Sequence, residues 1–142
     1  MNLFGPIGAD VRHGGTDNDN LQGWSGNDVF FGGDGDDILV SRGGNDTLDG
    51  GHGDDIMNGG NGDDVFVFSN EFGHDVIEDF EANNSSEKID LSDVSSITNY
   101  ADLSANHLTQ SGSNVIIDAG GGNTIELSGV NLGDLGSDDF IF

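Results

Sequence analysis

Aspartate recurs every nine residues at Asp19, Asp28, Asp37, Asp46, Asp55 and Asp64, and the residue two places later is apolar each time: Leu21, Phe30, Leu39, Leu48, Met57 and Phe66. Carboxylates at fixed spacing can exchange protons or bind cations, and the rest of the chain decides between these. Cysteine is absent, so thiolate sites are excluded and oxygen is the plentiful donor, a supply that suits hard cations such as calcium. The histidines His13, His52, His74 and His107 never form His-Glu-x-x-His and are expected at the surface. No Gly-x-Ser-x-Gly elbow or phosphate-binding glycine loop occurs. Acid pairs suited to glycoside hydrolysis exist only because acids are everywhere. The chain therefore reads as a non-catalytic, metal-binding unit.

The elements that must position these aspartates follow from the same period. Residues 14–67 divide without insertion into six nonapeptides, GGTDNDNLQ, GWSGNDVFF, GGDGDDILV, SRGGNDTLD, GGHGDDIMN and GGNGDDVFV. Aspartate holds position six, an apolar residue position eight, and glycine position four in every repeat but the first. A degenerate copy at 5–13, GPIGADVRH, keeps Asp10 but places Arg12 at the apolar position. Glycines at positions one, two and four permit the positive φ of a tight loop and let carbonyl oxygens converge where a short Asp side chain also reaches. Position eight sits in the middle of a three-residue strand and points inward. Two repeats then make one turn, with loops stacked on alternate edges. Composition alone would also suit a flexible Gly/Asp linker, but an unbroken register of six aspartates and six apolar residues does not arise from biased composition.

A length of 142 residues suits one modest domain. With 27 acidic residues against Arg12, Arg42 and Lys88, the net charge is −24; the chain repels itself unless cations bind, and it lacks the basic stripe that nucleic acid or an anionic membrane would require. No apolar run reaches the roughly 18 residues of a membrane span, and no basic-then-apolar leader follows Met1. A monomer without membrane insertion is expected.

The nonapeptides resemble the RTX family, the hemolysin-type calcium-binding repeats found in toxins, serralysin-like proteases, bacterial lipases and the R-modules of alginate epimerases. The resemblance implies an all-β fold, a right-handed parallel β-roll over 1–67 followed by a β-rich C-terminal cap over 68–142. It also implies about five interior Ca2+ ions, each between loops two repeats apart. Carried onto this chain, the first site takes Pro6, Gly8 and Asp10 with Gly23, Ser25 and Asp28, and the second Gly15, Asp17 and Asp19 with Gly32, Asp34 and Asp37. The third takes Trp24, Gly26 and Asp28 with Ser41, Gly43 and Asp46. The fourth takes Gly33, Gly35 and Asp37 with Gly50, His52 and Asp55, and the fifth Arg42, Gly44 and Asp46 with Gly59, Asn61 and Asp64. Trp24 and Arg42 replace glycine at position two of the third and fifth sites, where only a carbonyl is needed; Asp17 replaces it at position four and Arg12 stands at the apolar position, so the first two sites are expected to be weak. The copy bearing Arg12 reads as a polar end cap.

Beyond Phe68 the period ends. DVIEDF (75–80), KIDLS (88–92), NVIID (114–118) and NTIEL (123–127) read as strands, with Gly120 to Gly122 closing a hairpin and Asn99 capping a short helix over 100–108. This order resembles the C-terminal flank of RTX proteins, which caps the open roll. The ending Asp139-Phe140-Ile141-Phe142 resembles the signal read by type I secretion systems, and a final strand on the cap is compatible with it. The resemblance thus implies a secreted, extracellular bacterial module that serves export and calcium-triggered folding of a larger protein. Its partners would be the type I secretion machinery and an upstream catalytic or adhesive domain. The alternative is a carbohydrate-binding module for polyuronate such as alginate. Trp24, Phe31, Val40 and Val67 face outward and would serve that role or, as the favoured reading, pack on the cap. Glu71 and Asp75 stand where a terminal calcium site could be completed, or are strand-edge acids.

Overall fold

A computed structural model describes residues 2–4, 7–84 and 86–142. Its strands, in chain order, are β1 (Asn2–Phe4), β2 (Val11–Gly15), β3 (Asn20–Gln22), β4 (Val29–Asp34), β5 (Ile38–Val40), β6 (Thr47–His52), β7 (Ile56–Asn58) and β8 (Val65–Ser69). The non-repeating part adds β9 (His74–Ile77), β10 (Lys88–Asp93), β11 (Leu108–Ser111), β12 (Asn114–Gly120), β13 (Asn123–Leu127) and β14 (Phe140–Ile141). Each repeat therefore yields one short strand, and successive strands go to opposite sheets. One sheet runs β1-β3-β5-β7-β9-β13-β12-β11 and the other β14-β10-β8-β6-β4-β2. Pairing within the roll is parallel with partners two repeats apart, as Leu21↔Leu39 and Phe30↔Leu48 show. The fold is a parallel β-roll.

The strands of one sheet have the expected three residues in β3, β5 and β7, while β4 and β6 of the other run to six, and alternation along both sets fills the space between the sheets. Leu21, Phe30, Leu39, Leu48, Met57 and Phe66 are all fully buried, at about 1.5–3 kcal/mol of burial each. The apolar files do not stop with the repeats. Met57 pairs with Ile77 of β9, Phe66 with Ile89 of β10, and Ile89 with Phe140 of β14. Position 67/68 thus marks the end of the nine-residue period, while both sheets and one hydrophobic core run on across it.

The cap closes the far end. The β12–β13 hairpin is antiparallel, with Gly120, Gly121 and Gly122 all at positive φ in its turn. β13 lies parallel to β9, so the hairpin extends the sheet of the odd-numbered strands. The short helix over 100–108 is one turn, α1 (Tyr100–Asp102), capped by the Asn99 side chain accepting from Asp102 N at 3.0 Å. A π-helical turn, Leu103–His107, follows, and β11 has begun by Leu108. Among the described residues no helix is long and apolar enough to cross a membrane.

Candidate metal centre

The position-six aspartates line the two edges of the roll, one file on each. Asp28, Asp37, Asp46, Asp55 and Asp64 are at most 1 % exposed. Each carboxylate has one oxygen engaged in the same way: Oδ1 accepts from the backbone N–H of the position-six residue one turn earlier. The bonds are Asp10 to Asp28 at 2.8 Å, Asp28 to Asp46 at 2.7 Å and Asp46 to Asp64 at 2.8 Å on one edge. Asp19 to Asp37 at 2.7 Å and Asp37 to Asp55 at 2.8 Å form the other. The second oxygen is different. Oδ2 of Asp28, Asp37, Asp46, Asp55, Asp64 and Asp75 is buried with no hydrogen-bond partner, an arrangement that costs a bare protein dearly and that a bound cation relieves.

Electrostatics record the same cost. Burial, reinforced by the charge of Asp37, pushes the Asp55 carboxyl up to about 7, and burial with Asp46 and Asp79 nearby raises Asp64 to about 6. Among the described residues no three His, Cys, Asp or Glu side chains converge into a metal cluster. Backbone carbonyls must therefore supply most of any ion's ligands, as in an oxygen-rich calcium site.

The glycines show where those carbonyls point. A methyl on Gly33 would lie 2.2 Å from the Gly15 oxygen, and one on Gly53 2.1 Å from the Gly35 oxygen, so carbonyls of positions two and four face the following turn. A methyl on Gly32 would lie 2.3 Å from the Gly50 oxygen, so the position-one carbonyl faces back. Position three also faces back, since Gly35 N donates to His52 O at 2.9 Å and Gly44 N to Asn61 O at 3.0 Å. Each interloop space is thus bordered by carbonyls from both turns and by a carboxylate oxygen lacking a partner. These residues fit a calcium ion.

The departures in the repeat have distinct outcomes. Position-one glycines are not at positive φ, contrary to the sequence expectation. Where glycine stands at position one the space is tight, and a methyl on Gly59 would sit 2.2 Å from its own repeat's Asp64 Oδ2. Ser41 at position one turns its hydroxyl to Gly59 O at 2.8 Å. Arg42 adopts φ 79, as glycine does at this position, whereas Trp24 and Asp17 are not among the positive-φ residues, so their loops depart locally from the others. Gly8, Asp10, Ser25, Gly26 and Gly43 lie in the first and third loop pairs, with Gly8 N bonded to Ser25 O and Gly26 N to Gly43 O. Pro6 lies outside the described residues. Trp24 does not pack on the cap: it is 55 % exposed, with the Arg42 guanidinium 4.7 Å from its ring centroid. Phe31 stacks on His13 at 4.8 Å, and neither it nor Val40 nor Val67 joins the core. His13, His52 and His74 are exposed and His107 half-buried.

Two residues extend the files beyond the repeats. Asp75 stands opposite Asp55, accepts its N–H at 3.0 Å, and is buried with its carboxyl pushed up to about 8 by burial and by Asp55. Glu87 precedes Lys88, the partner of Val65, just as Asp64 precedes Val65; it too is buried and raised to about 7 by burial. Sequence reading left Asp75 undecided and passed over Glu87, because the interval has stretched to 20 residues at Asp75. The signal was the KID strand, whose pairing with β8 fixes the position of Glu87. Glu71, by contrast, is exposed at φ 66 in the intervening turn.

Two stacked sheets, parallel through the repeats, with a file of half-satisfied acids down each edge define the class: a cation-binding β-roll. Residues 5–39 and 31–66 match the RTX calcium-binding nonapeptide repeat, and the repeat region of this chain belongs to that family. The whole chain is similar to the extracellular lipase LipA from Serratia marcescens, at 28% identity and a TM-score of 0.68, over 99% of this chain and 20% of that one. It is also similar to the AlgE6R2 subunit from the Azotobacter vinelandii mannuronan C5-epimerase, at 28% identity and a TM-score of 0.64, over 97% of this chain and 92% of that subunit. No curated protein matches the sequence. The chain thus spans about a fifth of the lipase and nearly all of the epimerase subunit.

Proposed function

We propose that the chain is the calcium-responsive folding and export module of a larger secreted protein. The observation that carries this is the set of buried, partnerless Oδ2 atoms, which in the repeats share their loop edges with carbonyls turned in from neighbouring turns. The ligand sets given above for the second to fifth sites are the proposed calcium sites. Two more are proposed at the cap, Gly51, Gly53 and Asp55 with Asp75, and Gly60, Gly62 and Asp64 with Glu87. Calcium at 100 times its dissociation constant adds about 2.7 kcal/mol per site, and submicromolar calcium adds almost nothing to sites of extracellular affinity. The acids stay mutually repulsive, and the roll open, until the ion arrives.

Far-UV circular dichroism tests the reading. Ion-free protein is expected to be largely disordered and to gain β-structure cooperatively as calcium is added, with magnesium a poor substitute because it dehydrates reluctantly. A folded spectrum unchanged by chelator would overturn it.

For export, the proposed address is the tail. Phe140 is buried in the finished fold while Ile141 and Phe142 are more than a third exposed, so an exporter would have to read this segment before the roll closes. Removing Phe140 to Phe142 should abolish secretion of a fused passenger through a type I system yet leave calcium binding by the leading repeats intact. Undiminished export would reduce the tail to a capping strand.

The likeness to an epimerase subunit over nearly its whole length supports a second reading, a polyuronate-binding module. Glycan titration at fixed calcium separates the two, since with only three basic residues any polyanion must bind through bridging ions.

A further inference from the structure

The N-terminal copy breaks the repeat at its inward position, where Arg12 stands in register with Phe30. Its side chain is 11% exposed, so a guanidinium enters the end of the roll at the position where later turns carry Phe30, Leu48 and Phe66. A charge carried out of water is costly unless paired. Here the pairing is specific, with Arg12 Nη2 lying 3.4 Å from Asp10 Oδ2. On the same edge, Oδ2 of Asp28, Asp46 and Asp64 is buried with no partner. The carboxylate oxygen left over for an ion elsewhere is, at Asp10, already matched by a cation of the chain itself.

We propose that Arg12 is a resident counter-ion that takes the place of calcium at the N-terminal loop, so that Asp10 is balanced without the metal while the partnerless Oδ2 of Asp28 is left to the ion between Asp28 and Asp46. This rests on the calcium reading of the two acid files. Hydrophobic packing does not account for the side chain, because Arg12 Nε is also buried without a partner, a cost that leucine would not incur. Charge accounts for it better. Nowhere in a chain of net charge −24 is a cation scarcer than inside the roll, and of the other basic residues Arg42 lies over Trp24 outside and Lys88 bonds the Asp138 carbonyl. The counter-ion is part of the chain, so the first turn can be held at calcium levels that leave the later turns empty.

The test is bound calcium per chain, measured after equilibrium dialysis at one saturating free calcium concentration, with circular dichroism confirming that each variant is folded there. Arg12→Leu restores an apolar position eight and frees Asp10; it is expected to bind one ion more than the native chain. Asp10→Asn should leave the native count unchanged, and the double variant should return to it. Loss of an ion in Asp10→Asn, or an unchanged count in folded Arg12→Leu, would overturn the proposal. If Arg12→Leu fails to fold, the near-isosteric Asp10→Asn decides alone. A native chain that binds no calcium would overturn the calcium reading itself, and the resident counter-ion with it.

Discussion

A carboxylate in these files is asked to do two things with its two oxygens: Oδ1 locks a turn to its predecessor and Oδ2 awaits a charge. Without the ion, a proton is the only other relief, and the sign of the pH dependence follows. Asp55, Asp64, Asp75 and Glu87 titrate at about 7, 6, 8 and 7 in the fold, against ordinary values of 3.8 for Asp and 4.5 for Glu. Raised folded values mean that the ion-free roll keeps its full share of stability below about pH 4, where both states are protonated, and loses it as pH climbs to about 8. Ion-free protein is therefore expected to show more β-structure at pH 5 than at pH 8 by circular dichroism; the opposite order would contradict the burial of these acids. With calcium present the trend reverses, because the ligands must be deprotonated to bind.

At the scale of the element, a strand of three to six residues is too short to be stable alone and exists because the loops on either side stack. The position-one glycines decide how closely they stack. Gly59→Ala places a methyl 2.2 Å from Asp64 Oδ2 and should destabilise the calcium form by about 1–3 kcal/mol as an overpacking change, read as a lower thermal midpoint at fixed calcium. Gly133→Ala, whose methyl would meet nothing within 4 Å and whose φ, like that of Gly59, is not positive, is the control for losing a glycine without overpacking. The repeat strands were legible in the sequence because a single apolar residue per strand, Leu21 or Phe66, alternates with outward neighbours. The Gly120–Gly122 hairpin was legible from its turn residues. The helix over 100–108 was only partly so: Asn99 announces its start correctly, but the chain must reach β11 by Leu108 to pair with β12, and this tertiary demand converts the second turn to a π-turn. Glu87 escaped because its position is set by pairing with a distant strand, which no local spacing reports.

Across the whole molecule, the files of acid and the files of apolar side chains share one end point in the cap, where Phe140 completes the Phe30, Leu48, Phe66 and Ile89 series. The roll is in effect a one-dimensional stack, its stability a sum over neighbouring turns. The parallel pairing two repeats apart has a consequence for how such a protein can change in length. A cut of one nonapeptide sends every strand before it to the other sheet and exchanges the two edges, whereas a cut of two slides one intact turn out and lets its neighbours close. Excision of residues 32–49 should bring Leu21 onto Met57 and Phe30 onto Phe66, fold at saturating calcium, and bind two ions fewer, as metal analysis of the dialysed protein would show. Failure to fold would mean that the turns are not interchangeable. If they are, the chain's natural unit of inheritance is eighteen residues, and its repertoire of lengths is a ladder of even steps in which both margins of the roll survive every addition or loss.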